Sequence, residues 1–180
     1  MSEYPRWHYF PSSAVPPPWV GEVVKTFAQI QDKIDSSRVQ GQKSDGILAH
    51  LAPGLKSLNY DVEIGKRASE RINRPVLFGD QGQEVVRYEV DAWLENPGVI
   101  IEIEAGRAVM GNAFYRDLVR TSLIVNANYL AIAVMLNYEY RSGSRQVSSH
   151  DYDIAHDQLD AMYSSGRLKL PFEGVLIIGY

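Results

Sequence analysis

The run YLAIAVML, Tyr129 to Leu136, constrains this chain most. It is far too short to span a bilayer. It is also too continuously apolar for a strand with one wet face, so it predicts a strand covered on both sides. FEGVLIIGY, Phe172 to Tyr180, has the same character. Two such strands require apolar layers above and below a sheet, and the remaining pattern supplies helices for them. Val20, Val23, Val24, Phe27, Ile30 and Ile34 follow helical spacing, as do Ile47, Leu48, Leu51, Leu55 and Leu58. Further helices are predicted within residues 107–127 and over Asp151 to Ser164. Pro53-Gly54 predicts a kink or a split in the second helix. The expected order is α-α-β-β-β-α-β-α-β, an α/β fold with a central mixed sheet and helices on both faces.

Residues 1–18 are rich in Pro and aromatics and predict an extended arm, packed on the domain or on a partner. Asn59 to Ile64 reads as a short strand, and residues 65–83 and Tyr138 to Ser149 read as polar loops. No repeat or linker divides the 180 residues, so one domain spanning 1–180 is expected. The chain has no Cys, which excludes disulfides and thiolate metal sites and suits a reducing cytoplasm. No secretory leader and no membrane association are expected. The net charge of −4 argues against a nonspecific nucleic-acid coat protein, but not against an enzyme whose acids hold metal ions.

YEVDAWLENPGVIIEIEAG, Tyr88 to Gly106, raises the functional question. It reads as two strands joined by the turn residues Glu95-Asn96-Pro97-Gly98. Side chains alternate along a strand, so Val86, Tyr88, Val90, Ala92 and Leu94 share one face. Glu89, Asp91 and Trp93 share the other. On the second strand, Ile100, Glu102 and Glu104 alternate with Val99, Ile101 and Ile103. If Leu94 pairs with Val99, Asp91 falls opposite Glu102, and Glu89 opposite Glu104. Like charges directly opposite destabilise a sheet. One outcome is a wet face on which each Glu points to water. The other is convergence, relieved by raised pKa values or by a hard cation with oxygen ligands.

The stretch from about Ser44 to Tyr180 resembles the PD-(D/E)XK nuclease superfamily, the restriction-endonuclease-like fold. Its α-β-β-β-α-β core matches the predicted order from Ser44 to Leu136. Its signature, an Asp on the second core strand and an acid-x-Lys on the third, matches Asp91 and Glu102-Ile103-Glu104. Val90 stands at the signature's Pro, and Glu104 at its Lys, making an E-x-E variant. The resemblance implies hydrolysis of DNA phosphodiesters. Asp91, Glu102 and Glu104 would be catalytic and would bind Mg²⁺, with Mn²⁺ able to substitute. Arg107, Asn112, Arg116 and Arg120 follow the motif. The last three recur every four residues and could face phosphates, against a solvated helix face with Asp117 as counter-charge. Two strands to cut imply a homodimer. The rivals are a catalytically inactive DNA-binding or assembly module of the same fold, and a carboxylate-pair enzyme such as a glycosidase.

Among other polar residues, Glu63 could join the acidic cluster, with a surface ion pair to Lys66 or Arg67 as the rival. Glu22 could do the same from the first helix, with a helix-dipole role as the rival. His150, Asp153, His156 and Asp157 suggest a metal set but are explained by a helix start.

Overall fold

The computed structural model describes residues 4–106 and 108–180. Arg107 therefore lies outside the described residues. A six-stranded mixed sheet is built from β1 (Arg6–Phe10), β2 (Asp61–Val62), β5 (Ala92–Leu94), β6 (Val99–Ile103), β7 (Tyr129–Val134) and β10 (Gly174–Gly179). Its strand order is β1-β10-β7-β6-β5-β2. The three central strands β10, β7 and β6 run parallel, and the outer pairings are antiparallel.

The two apolar runs behave as their composition requires. Along β7, Leu130, Ile132 and Val134 pack on one side of the sheet, and Ala131 and Ala133 on the other. The first side is covered by α4 (Ala113–Thr121) and α5 (Asp151–Ser165), through Phe114, Leu118, Ala155 and Leu159. The second is covered by α1 (Pro18–Gln29) and α3 (Ser44–Ser57), through Val23, Phe27, Leu51 and Leu55. A short α2 (Gln31–Ile34) follows α1. The fold is thus α/β, and the order α3-β2-β5-β6-α4-β7 is the expected α-β-β-β-α-β core. Among the described residues, no helix is long and apolar enough to cross a membrane.

The N-terminal arm packs on the domain, with Arg6–Phe10 as an edge strand hydrogen-bonded to β10. Several other local expectations are revised. Pro53 does not split α3, which runs through it. There α3 packs so closely on α1 that a Cβ at Gly54 would lie 2.5 Å from Thr26 Cγ2. Helix–helix packing holds the segment despite the missing N–H. The expected loop 65–83 contains β3 (Ile72–Phe78), which pairs with β4 (Glu84–Val90) as a separate two-stranded sheet. The expected loop Tyr138 to Ser149 is a hairpin, β8 (Tyr138–Ser142) with β9 (Arg145–Ser149). The helix expected within 107–127 spans Ala113–Thr121, starting just after Asn112, which adopts a left-handed conformation.

Ile177 is fully buried between the layers. Ile177→Ala is expected to lower stability by about 2–5 kcal/mol through lost burial and a residual cavity. Urea unfolding followed by far-UV circular dichroism measures it; a loss under about 1 kcal/mol would contradict this packing.

Candidate functional site

Leu94 pairs with Val99, Trp93 with Ile100 and Ala92 with Ile101, the register expected from the turn residues. At Asp91 the ladder ends. The chain bends there, and β4 leaves to pair with β3, so Glu89 lies opposite Asn73 rather than Glu104. The alternation is broken at the same residue. Tyr88 and Val90 join the cluster beneath α4 and α5, with Trp93, while Ala92 faces α1 and α3. The expected single strand with an unbroken acidic face is therefore two strands meeting at Asp91.

The bend places the Asp91 carboxylate where the next ladder bond would be. Its Oδ2 accepts the Ile103 N–H at 2.7 Å. Its backbone carbonyl accepts the Glu63 N–H at 2.9 Å, joining the end of β2 to the same point. Glu104, one residue beyond β6, donates its N–H to the Ala133 carbonyl at 2.8 Å. Its side chain thus stays at the C-terminal end of the parallel strands.

A cleft of about 150 Å³ opens here, and Asp91, Glu102 and Glu104 all line it. Three further carboxylates join them: Glu63, Glu89 and Asp117. Against these six acids stand three cations, Lys66, Arg116 and Arg120, so the acids outnumber the cations by three. Glu63 is 7% exposed and Asp117 2% exposed. Glu63 thus lies buried in the cleft, and it also makes the expected ion pair, with Lys66 Nζ at 3.0 Å. Lys66 also reaches Asp45 Oδ1 at 2.9 Å. Asp117 is not a solvated counter-charge. It lies on the inward side of α4 with Phe114, Leu118 and Thr121, a helical spacing already visible in the sequence. Glu22 is exposed on α1 and does not line the cleft.

The basic residues divide. Arg116 spans two acids, with Nη2 at 2.7 Å from Glu104 and Nε at 3.0 Å from Asp117. Arg120 lies over the Tyr88 ring at 5.4 Å and donates to the Glu89 carbonyl at 3.3 Å. Asn112 does not line the cleft, and its carbonyl accepts the Arg116 N–H. Near α5, Asp151 is buried and accepts the Ala108 N–H at 3.1 Å, while His156 packs against Phe10 and His8.

Burial and mutual repulsion raise the acids' pKa values. Burial first, then the charges of Glu63 and Asp117, push Asp91 up to about 7, against the opposing Ile103 N–H and Lys66. Burial, then Asp91 and Asp117, hold Glu102 well above the carboxylate range, with Arg120 opposing. Burial, then contact with the Asp117 carboxyl, push Glu104 up to about 8, with Arg116 opposing.

The donor set suits a hard dication in chemistry, with oxygen ligands only and more acids than cations. The spacing differs from the sequence expectation of convergence on one ion. Among the described residues, no three His, Asp or Glu side chains are grouped so that they could hold a metal ion. One Asp91 oxygen serves the Ile103 N–H and one Glu104 oxygen serves Arg116. Glu104 would become available when Arg116 turns to another anion.

The folded state binds protons at these acids more tightly than the unfolded chain does. Without metal, their contribution is most favourable below the unfolded carboxylate pKa and is lost as pH rises towards 7–8. Melting temperature without metal is expected to fall between about pH 5 and pH 8. Glu102→Gln should flatten that fall; a wild-type melting temperature that rises across the window would contradict the assignment.

No protein-family model matches the chain, and no curated protein sequence matches it. Among solved structures, the crystal structure of restriction endonuclease BglII complexed with a DNA 16-mer is similar. The likeness covers 98% of this chain and 78% of that one, with a TM-score of 0.51 and 10% sequence identity, and it shows a restriction-endonuclease-like fold.

Proposed function

We propose that this chain is a metal-dependent DNA endonuclease whose cleft carboxylates hold Mg²⁺, or Mn²⁺ in its place. The observation that carries the reading is the meeting of Asp91, Glu102 and Glu104 in one cleft at the bend between β4 and β5. A chain that only had to fold would not assemble six acids there against three cations. The similar structure is that of a restriction endonuclease bound to DNA, which supports DNA as the partner.

Asp91 and Glu102 would be the principal metal-holding carboxylates. The bound ion would lower the pKa of water and polarise the phosphoryl group. Glu104 stands where the signature has Lys. Its carboxylate would orient the attacking water and accept its proton, in keeping with a pKa pushed up to about 8. Arg116 would exchange its bond to Glu104 for a phosphate oxygen, which suits a forked guanidinium. The inactive-module alternative draws on one observation: Arg116 ties up the Glu104 carboxylate in an ion pair at 2.7 Å.

Three measurements test the reading. Supercoiled plasmid should be nicked or linearised with Mg²⁺ or Mn²⁺, and Asp91→Ala or Glu102→Ala should abolish this. Binding without cutting would favour the inactive module. Secondly, Mg²⁺ should raise the melting temperature at pH 8 more than at pH 6, and lose that effect in Glu102→Gln. Thirdly, a homodimer is expected, since each protomer offers one cleft and a duplex has two strands. Sedimentation showing only monomer, with and without DNA, would count against it.

A further inference from the structure

Glu104 stands where its ladder runs out. β6 ends at Ile103 and β7 at Val134. The Glu104 N–H still reaches the Ala133 carbonyl at 2.8 Å. Past Val134 the chain turns towards β10 instead, and Leu136 donates its N–H to the Tyr180 carbonyl at 2.9 Å. The Glu104 carbonyl is served by a side chain: the Tyr180 hydroxyl donates to it at 3.0 Å. In the strand order β10-β7-β6, Tyr180 follows β10 and Glu104 follows β6, so this bond bridges the end of β7.

Tyr180 is itself held on every side. Its ring is fully buried and lies 6.2 Å from the Phe27 ring of α1. Its N–H donates to the Val134 carbonyl at 3.0 Å, and its carbonyl also accepts the Ser36 hydroxyl. Burial holds its phenol well above the ordinary tyrosine pKa, so the hydroxyl stays a donor while the cleft acids titrate.

The stretch that Tyr180 holds has no regular structure of its own. Residues 104–106 leave β6 as irregular chain. At its far end Gly106 has φ +93°, and a Cβ there would lie 2.8 Å from the Tyr138 ring. One tyrosine thus closes on each end of the stretch, and Tyr180 closes on the end that carries the carboxylate. A carbonyl at a ladder's end that loses its donor lets the backbone shift. A shift of about 1 Å at a reacting group can cost about a hundredfold in rate. Tyr180 does not line the cleft, so whatever it contributes there passes through Glu104.

Resting on the endonuclease reading, we propose that Tyr180 is a positioning residue. Its hydroxyl replaces the ladder donor that β7 no longer supplies, and so fixes the Glu104 backbone, and with it the carboxylate, relative to Asp91 and Glu102.

The test compares Tyr180→Phe with Tyr60→Phe. The Tyr60 hydroxyl is also buried in the layer beneath α1 and α3, but it has no hydrogen-bond partner. Amide hydrogen exchange is measured by NMR on the whole chain, without metal or DNA. Tyr180→Phe should speed exchange at the Glu104 N–H by about tenfold relative to Ile132 in the middle of β7, and Tyr60→Phe should leave that ratio unchanged. In plasmid cleavage with Mg²⁺, Tyr180→Phe should lower kcat by about tenfold with KM for DNA unchanged, and Tyr60→Phe should cut like wild type. An unchanged exchange ratio, equal acceleration at Glu104 and Ile132, or an unchanged kcat would overturn the positioning role. A wild type that cuts no DNA would overturn the endonuclease reading, and the exchange comparison would still decide whether Tyr180 holds Glu104.

Discussion

The hydrogen bond from the Ile103 N–H to Asp91 Oδ2 organises the end of the sheet where the cleft opens. A backbone donor at the end of a ladder needs a partner once it is buried. Here the partner is a side chain rather than a strand, because β4 has turned away to pair with β3. Without that carboxylate, the Ile103 donor would lose its partner at a cost of about 1–3 kcal/mol. With it, Asp91 is fixed between β2 and β6, and the chain before it is free to form a wall of the cleft.

This arrangement concentrates like charge where a sheet edge would otherwise be neutral. The rest of the structure offsets that cost. Two apolar layers, one through Phe27, Leu51 and Ile101 and the other through Phe114, Ile132 and Ile177, hold the strands regardless of the acids' repulsion. Lys66, Arg116 and Arg120 neutralise part of the charge, and retained protons neutralise more. Strongly perturbed acids inside a cleft are a feature of functional sites, where local stability is given up for chemistry.

The legible part of the fold lay where burial on both faces forces a pattern. Tyr129 to Leu136 and Phe172 to Tyr180 could be placed because strands covered by helices tolerate few polar residues. The hairpin register could be placed because Leu94 and Val99 flank a turn-rich tetrapeptide. The missed strands are those whose stability comes from outside their own pattern. β3 contains Pro75, and its register shifts on either side of Leu77, so neither alternation nor composition marks it. β8 and β9 are mostly exposed and polar, which local pattern cannot distinguish from a loop. α4 starts later than its helical material because Asn112 takes a left-handed backbone conformation just before it, which depends on tertiary context.

By itself, the sequence determined the spacing of Asp91, Glu102 and Glu104 and the apolar runs that demand a two-sided sheet. Both are properties of one or two neighbouring strands, where a period of two residues maps directly onto space. Only the tertiary structure decided that Glu63, Lys66 and Asp117 share the cleft, because they come from separate elements whose meeting depends on helix packing. It also decided that the strand breaks at Asp91, since whether β4 pairs within the main sheet or with β3 is a competition between distant partners.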